Sequence, residues 1–379
     1  MNTWLIRCFA GLLLALPFDP VALAQEPDQG KKPGAVFKVP GSHTHDVALS
    51  PDGKILARAG TGRCDLWDVA SGKKLHTLKG QPHFYKVAFS PDGKILASGT
   101  GNVAADKFEV EVKLWDVATG KERVLGKGHP IKAVSMAFSP DGKTLATSYL
   151  DHAAVRLWDL PTGKEKMELG GVWGFLAFSP DGKTLAIGDS SVHLWDLTTR
   201  KKRVSLARKG DLLDLRPFAY SDVLGFSPDG KTLVSAGLHK RKDDPKTLHA
   251  ELTLWDVATA KERATIAVPG YSAPNAPPFV FTADGKTLIT AVWIFEDNKG
   301  ENSNGRVNVQ HWDLATGKAR ATFWTPVSPG GNHPEAGHVV GFYFAALSAD
   351  GKTVAWGGAE GEEKITGTAH TQRGRKDIA

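Results

Sequence analysis

Thirteen histidines and 41 acidic residues are scattered along the chain, and its two cysteines stand at Cys8 and Cys64. Catalysis would need such groups gathered into a motif: a nucleophile on a G-x-S-x-G elbow, a metal-binding H-E-x-x-H pair, or a glycine-rich loop around a phosphate. None of these strings occurs, and no C-x-x-C-H is present to attach a c-type haem. Glu296, Asp297 and Glu301 offer oxygen ligands for calcium, but their spacing is unlike an EF-hand loop. Asp243 and Asp244 adjoin Lys240, Arg241 and Lys242, which reads as a solvated mixed-charge loop. The expectation is a protein with no catalytic residue, no metal and no cofactor, whose chemistry is that of binding.

Aromatic side chains dominate the energetics of binding, and here their positions acquire meaning only against an internal repeat. The string S-P-D-G-K occurs at Ser50–Lys54, Ser90–Lys94, Ser139–Lys143, Ser179–Lys183 and Ser227–Lys231, with variants at Thr282–Lys286 and Ser348–Lys352. It alternates with a W-D dipeptide: Trp67-Asp68, Trp115-Asp116, Trp158-Asp159, Trp195-Asp196, Trp255-Asp256 and Trp312-Asp313. Successive D-G aspartates lie 40 to 66 residues apart. Before each D-G turn an alternating apolar segment such as Val87-Ala88-Phe89 suits an inner strand. Proline fits the first corner of the turn and glycine accepts its positive φ. A second run follows, a third ends in W-D, and a T-G-K turn leads to a polar fourth strand.

A unit of this length carrying W-D resembles the WD-repeat β-propeller family, in an exported bacterial type, over residues 35–370. The resemblance implies an all-β fold: a seven-bladed β-propeller of four-stranded antiparallel blades. The repeat tryptophans are expected to pack between blades. The last copy lacks W-D, whereas Ala35–Val39 looks like an outer strand preceding any inner one. Pairing of Ala35–Val39 with Lys364–Thr368 would close the ring and remove a free sheet edge. WD repeats also carry a polar network of His, Ser or Thr, Asp and Trp. Only the third copy has it nearly complete, as His129, Thr147, Asp151 and Trp158, with His83 and His338 as partial echoes. Packing and turns, rather than this network, are therefore expected to hold most blades. Tol-associated periplasmic propellers share the S-P-D-G-K turn, but their repeats lack L-W-D.

In such a blade the first-to-second and third-to-fourth turns share one face, and they are tight in every copy. Insertions fall on the other face, at Thr100–Glu109, Leu238–Ala250, Ile294–Asn308 and the links Arg208–Tyr220, Pro269–Pro278 and Thr325–Gly337. Variation confined to one face is what a grafted binding surface looks like. Five and six residues before the turn serine stand Phe84, Tyr85, Trp173, Phe342 and Tyr343, a candidate aromatic rim that either binds a partner or plugs the channel mouth. The turn lysines on the opposite face read as solvated.

Residues 1–24 read as an export signal, with Arg7 before the apolar run Cys8–Leu16 and Ala22-Leu23-Ala24 before a cut ahead of Gln25. Residues 25–34 read as a linker and 371–379 as a basic disordered tail. The net charge of +6 is unchanged by the cut, and no segment spans a bilayer. Cys64 alone would remain, so an internal disulfide is excluded. The resulting expectation is an exported, monomeric, non-catalytic protein-interaction scaffold with an unknown protein partner and no nucleic-acid role. The alternative is a propeller enzyme or small-ligand binder using the channel mouth.

Overall fold

The computed structural model describes residues 35–39, 44–79, 83–104, 107–129, 133–149, 154–188, 191–206, 224–240, 248–268, 279–295, 305–327, 344–347, 353–357 and 363–369. The signal, linker and tail of the sequence reading lie outside the described residues. Among these residues there are 28 strands and no helix, and the strands form seven four-stranded antiparallel sheets.

Strand β1 is Ala35–Val39. Blade 1 holds β2 to β5 (Thr44–Leu49, Ile55–Gly60, Cys64–Asp68, Lys74–Leu78), and blade 2 holds β6 to β9 (His83–Phe89, Ile95–Ala104, Lys107–Asp116, Glu122–His129). Blade 3 holds β10 to β13 (Ala133–Phe138, Thr144–Tyr149, Ala154–Asp159, Lys164–Gly170). Blade 4 holds β14 to β17 (Phe175–Phe178, Thr184–Gly188, Val192–Asp196, Lys201–Leu206). Blade 5 holds β18 to β21 (Leu224–Phe226, Thr232–Lys240, Leu248–Asp256, Lys261–Val268). Blade 6 holds β22 to β25 (Phe279–Phe281, Thr287–Phe295, Gly305–Asp313, Ala319–Val327). Each of the six is a meander in chain order. The remaining sheet contains β26 (Phe344–Leu347), β27 (Thr353–Gly357), β28 (Glu363–Ala369) and β1, with Ala35 opposite Gly367 and Val39 opposite Glu363.

Two turns make the meander. In the first, the Ser139 hydroxyl donates to Asp141 Oδ1 at 2.5 Å, while the Lys143 N–H donates to the same oxygen at 3.0 Å. The Thr144 N–H returns to Ser139 Oγ at 2.9 Å. The same three bonds recur from Ser50, Ser90, Ser179, Ser227 and Thr282. The third-to-fourth turn ends at a left-handed residue. That residue is glycine at Gly72, Gly120, Gly163 and Gly317, but Arg200 (φ 59°) and Ala260 (φ 58°) fill it in blades 4 and 5.

The core lies in the seams between sheets. Leu66 and Leu78 of blade 1 meet Phe84, Leu96 and Trp115 of blade 2 in one buried cluster, and Leu114 of blade 2 meets Leu145 and Trp158 of blade 3 in another. Fully burying one such side chain contributes about 1.5–3 kcal/mol. At the turn end, each proline sits beside the next blade's turn glycine. A Cβ built on Gly93 would lie 3.5 Å from Pro51, and one on Gly285 would lie 3.4 Å from Pro228.

Three connections expected as inserted loops are largely strand. The β7–β8 ladder runs to Ala104 opposite Lys107, β19–β20 to Lys240 opposite Leu248, and β23–β24 to Phe295 opposite Gly305. Continuing the ladder satisfies backbone groups that a loop would have to present to water.

The left-handed conformation costs an L-residue about 1–2 kcal/mol, partly offset by the entropy glycine loses on folding. Arg200→Gly and Ala260→Gly are each expected to raise the unfolding free energy by roughly 0.5–1 kcal/mol in urea titrations. A decrease at both sites would remove the argument from strain.

Candidate functional site

Every W-D aspartate is occupied by its own turn. Asp116 Oδ1 accepts the Thr119 N–H at 2.8 Å and the Thr119 hydroxyl at 2.7 Å. The serine or threonine three residues on serves Asp68, Asp159, Asp256 and Asp313 in the same way, and the Thr199 N–H serves Asp196. These bonds hold Asp68, Asp116 and Asp159 below the usual carboxylate range, the side-chain hydroxyl being the main cause. For Asp196, Asp256 and Asp313 the backbone N–H is the main cause of the same lowering. The six aspartates are thus turn caps.

The tryptophans carry a second recurrent bond. Trp158 Nε1 donates to Thr147 Oγ1 at 2.9 Å, which is half of the network read in the third copy. Asp151 lies outside the described residues, and His129 is placed by its backbone at the end of β9. The same indole bond links Trp115 to Ser98 (2.8 Å), Trp255 to Ser235 (2.9 Å) and Trp312 to Thr290 (3.0 Å). The indole-to-hydroxyl bond of the network thus recurs in four blades. Ser98, Ser235 and Thr290 escaped notice although each stands eight residues after its turn hydroxyl, as Thr147 does. In blade 4 that position is Ile187, and Trp195 Nε1 is buried with no hydrogen-bond partner among the described residues.

The candidate rim divides. Phe84 is 0% exposed, its ring 6.1 Å from that of Trp115 in the seam between blades 1 and 2. It is core: Phe84 and Val87 both join the buried cluster of this seam, a bulge at Tyr85 in the β6–β7 ladder separating them. Its neighbour Tyr85 is half-buried and stacks on His83 (centroids 5.6 Å, planes 14° apart). His45 completes the group, 5.6 Å from Tyr85 and 5.8 Å from His83, with its Nε2 3.3 Å from Thr61 Oγ1. His83, read as an echo of the polar network, instead belongs to this ring cluster. Trp173 is half-buried just before β14. Phe342, Tyr343 and His338 lie outside the described residues.

Beneath the cluster the seam is charged. Asp46 (5% exposed) accepts the Val87 N–H at 2.9 Å and pairs with Lys86 Nζ at 3.4 Å, while on the other face of blade 1 the fully buried Arg58 donates to Thr44 Oγ1 at 2.8 Å. Burial pushes the Cys64 thiol up, so it is protonated and unreactive at neutral pH. Among the described residues no three His, Cys, Asp or Glu side chains gather as metal ligands would. No helix among them is long and apolar enough to cross a membrane.

Four-stranded antiparallel sheets packed seam to seam, six of them bounded by a D-G and a W-D turn, define an all-β propeller. The chain carries WD40 repeats: the family model "WD domain, G-beta repeat" matches residues 72–107, 121–159 and 170–196. Over 121 residues it is 31% identical to the small ribosomal subunit protein RACK1 of Caenorhabditis elegans, a stretch covering 29% of this chain and 35% of that protein. Over 45 residues it is 44% identical to Coronin-7 of Mus musculus, covering 12% of this chain and 5% of that protein. The chain therefore spans well under two thirds of the length of either relative.

Thr147→Val keeps the shape of the side chain but leaves the Trp158 indole N–H buried without an acceptor. A loss of about 1–3 kcal/mol is expected in urea unfolding, with Thr147→Ser near wild type. Equal stability of the valine and serine variants would show that the bond contributes nothing.

Proposed function

We propose that this propeller is a non-catalytic protein-interaction scaffold, exported from the cell, which binds its partner through the face bearing the long hairpins. The observation that carries the reading is an asymmetry. One end of each of the first six sheets is closed by turns whose serine or threonine hydroxyls and aspartates bond one another, whereas the opposite end is extended in blades 2, 5 and 6 by β7–β8, β19–β20 and β23–β24. A rigid scaffold with variation at one end is how recognition surfaces are built, and WD40 repeats agree with that role. Export rests on the leader pattern of residues 1–24. A second reading, a small-ligand site at the channel mouth, draws on the half-buried His45, His83 and Tyr85 rings gathered within 5.8 Å of one another.

The hairpin reading is tested by replacing Leu238–Ala250 with a two-residue turn and comparing cross-linked partners of the two mature chains, isolated from the exported fraction. Loss of partners with an unchanged thermal midpoint supports the hairpin face, while an identical partner set overturns it. N-terminal sequencing of the exported chain should begin at Gln25, and an intact Met1 would dismiss export by cleavage.

The seven sheets are further proposed to form one closed ring, with β1 as the latch on β28. Paired cysteines at adjacent register positions, Lys38→Cys with Lys364→Cys or Phe37→Cys with Ile365→Cys, should cross-link within one molecule on oxidation and raise the thermal midpoint. If neither pair cross-links, the latch is wrong.

A further inference from the structure

Blade 4 departs from its neighbours in the charge of its turn end. The comparison runs from each D-G aspartate to its lysine, and from each W-D aspartate to the eighth residue after the tryptophan. In blades 2, 3 and 5 these stretches hold three carboxylates and three cations, as with Asp92, Asp116 and Glu122 against Lys94, Lys121 and Arg123. Blade 4 holds two carboxylates, Asp181 and Asp196, against five cations: Lys183, Arg200, Lys201, Lys202 and Arg203.

Two repeat positions produce the excess. The residue opposite the repeat tryptophan is Glu122, Glu165 or Glu262 in blades 2, 3 and 5, and Lys202 in blade 4. The turn position that is glycine in four blades is Arg200, held at φ 59°. In blades 2 and 3 the glutamate is paired within its own sheet, with Lys113 at 3.0 Å and Arg156 at 3.8 Å. The residue in the corresponding place of blade 4 is His193, which bonds Ser205 Oγ at 2.9 Å.

The charge is left open to solvent. Arg200, Lys201, Lys202 and Arg203 are all exposed. Among the described residues Arg200, Lys201 and Lys202 make no hydrogen bond or ion pair, whereas Arg203 Nη2 donates to the Val257 carbonyl of blade 5. Asp181 is anchored by the Ser179 hydroxyl at 2.6 Å and the Lys183 N–H at 3.0 Å. Asp196 is anchored by the Thr198 and Thr199 N–H groups, both at 2.8 Å, with Arg203 as its nearby cation. Backbone strain such as that at Arg200 persists at positions with work outside the fold.

The geometry narrows the occupant. Strand β17 is outermost in its sheet, so the stripe lies on the perimeter of the blade. Successive side chains of a strand leave on opposite sides, so these cations do not converge as a pocket for one small anion would need. The exposed large apolar side chains among the described residues, Leu75 and Val124, belong to blades 1 and 2. A lasting protein interface has an apolar core, and single-stranded nucleic acid is held by aromatic stacking. The stripe offers neither, and it matches a spread array of phosphates. Lipid headgroups and a nucleic-acid duplex share that chemistry; the choice of lipid rests on the reading of this chain as exported.

We propose that the outer strand of blade 4 is a membrane-contact stripe, at which Arg200, Lys201 and Lys202 bind the phosphate headgroups of an anionic lipid surface while Arg203 ties the stripe to blade 5. It is separate from the face bearing the long hairpins and does not rest on the reading of that face.

The test is co-flotation of the whole mature chain with vesicles of phosphatidylcholine alone, or of phosphatidylcholine and phosphatidylglycerol in equal parts. The anionic vesicles should bind at least about tenfold more chain than the neutral ones at low salt, and lose it at high salt. Arg200→Gly with Lys202→Glu restores the residues that the repeat carries elsewhere. It should weaken binding to the anionic vesicles by at least about tenfold, with the thermal midpoint unchanged or raised. Lys201→Glu, on an exposed strand, should weaken binding in the same direction. Lys121→Glu with Lys261→Gln changes the net charge equally, but on blades 2 and 5, and should keep most of the binding. No salt-sensitive preference for anionic vesicles, or equal losses in the two double variants, would overturn the stripe. A DNA duplex that binds more tightly than the vesicles at equal phosphate would overturn the choice of lipid. Vesicle binding by the purified chain does not depend on how it reaches a membrane, so an intact Met1 in the exported fraction would remove the export reading and leave this measurement standing.

Discussion

A four-stranded sheet that is apolar on both faces cannot bury itself, and radial stacking of such sheets is the condition on which the molecule rests. The clusters make this concrete, since each joins side chains of successive blades: Leu78 with Trp115, Leu125 with Trp158, and Leu206 with Trp255. How closely the sheets approach is set at a few contacts. Gly225 lies in a strand where a Cβ would come within 2.8 Å of the Phe279 ring, and a Cβ on Gly188 would come within 2.9 Å of Leu224. Glycine there serves proximity between blades rather than backbone freedom. At the turn end, the left-handed glycines combine the two roles, taking positive φ and leaving room for the preceding blade's proline.

That arrangement divides labour between the two ends of each sheet. At the turn end, the hydroxyl and aspartate of each described S-P-D-G-K turn, and the aspartate of each W-D turn, find partners within five residues. An inserted residue would break several bonds at once. At the other end the chain has only to return to the next inner strand. It does so in three residues between β3 and β4, or by prolonging the ladder through ten-residue strands in β7 and β8. Length can therefore drift and be selected at one end alone, which is why the long hairpins point to recognition there.

The number of strands per blade and both turns were legible because each is written in contiguous residues, such as Ser139 to Lys143 and Trp158 to Lys164. Contacts between repeats were not. The approach of Pro51 to Gly93 joins residues about forty apart, and nothing in either turn marks the other. The sequence left Phe84 open between binding surface and core for a related reason: the bulge at Tyr85 breaks the alternation of β6, and nothing in the neighbouring residues marks it. The hairpins were misread because Gly99, Gly101 and Asn102 look like a loop, although the ladder runs straight through them.

Near-identical repeats raise a question of order, since an apolar seam built from Leu and Trp fits any neighbour about equally well. The seam between blades 1 and 2 is not of that kind. It buries Asp46 and Lys86, paired at 3.4 Å, with the Val87 N–H on the same carboxylate at 2.9 Å. Buried ion pairs are weak evidence for stability, because desolvation offsets most of the attraction. Their effect is sharper on the alternatives: a blade that met Asp46 with an apolar side chain, or without a free N–H at the position of Val87, would leave a bare carboxylate in the core. Stripping one partner from such a pair costs about 3–5 kcal/mol, which is comparable with a large part of a domain's net stability. The charged seam therefore acts less as glue than as a key, setting which blade follows the first, while the apolar seams elsewhere supply the bulk of the burial.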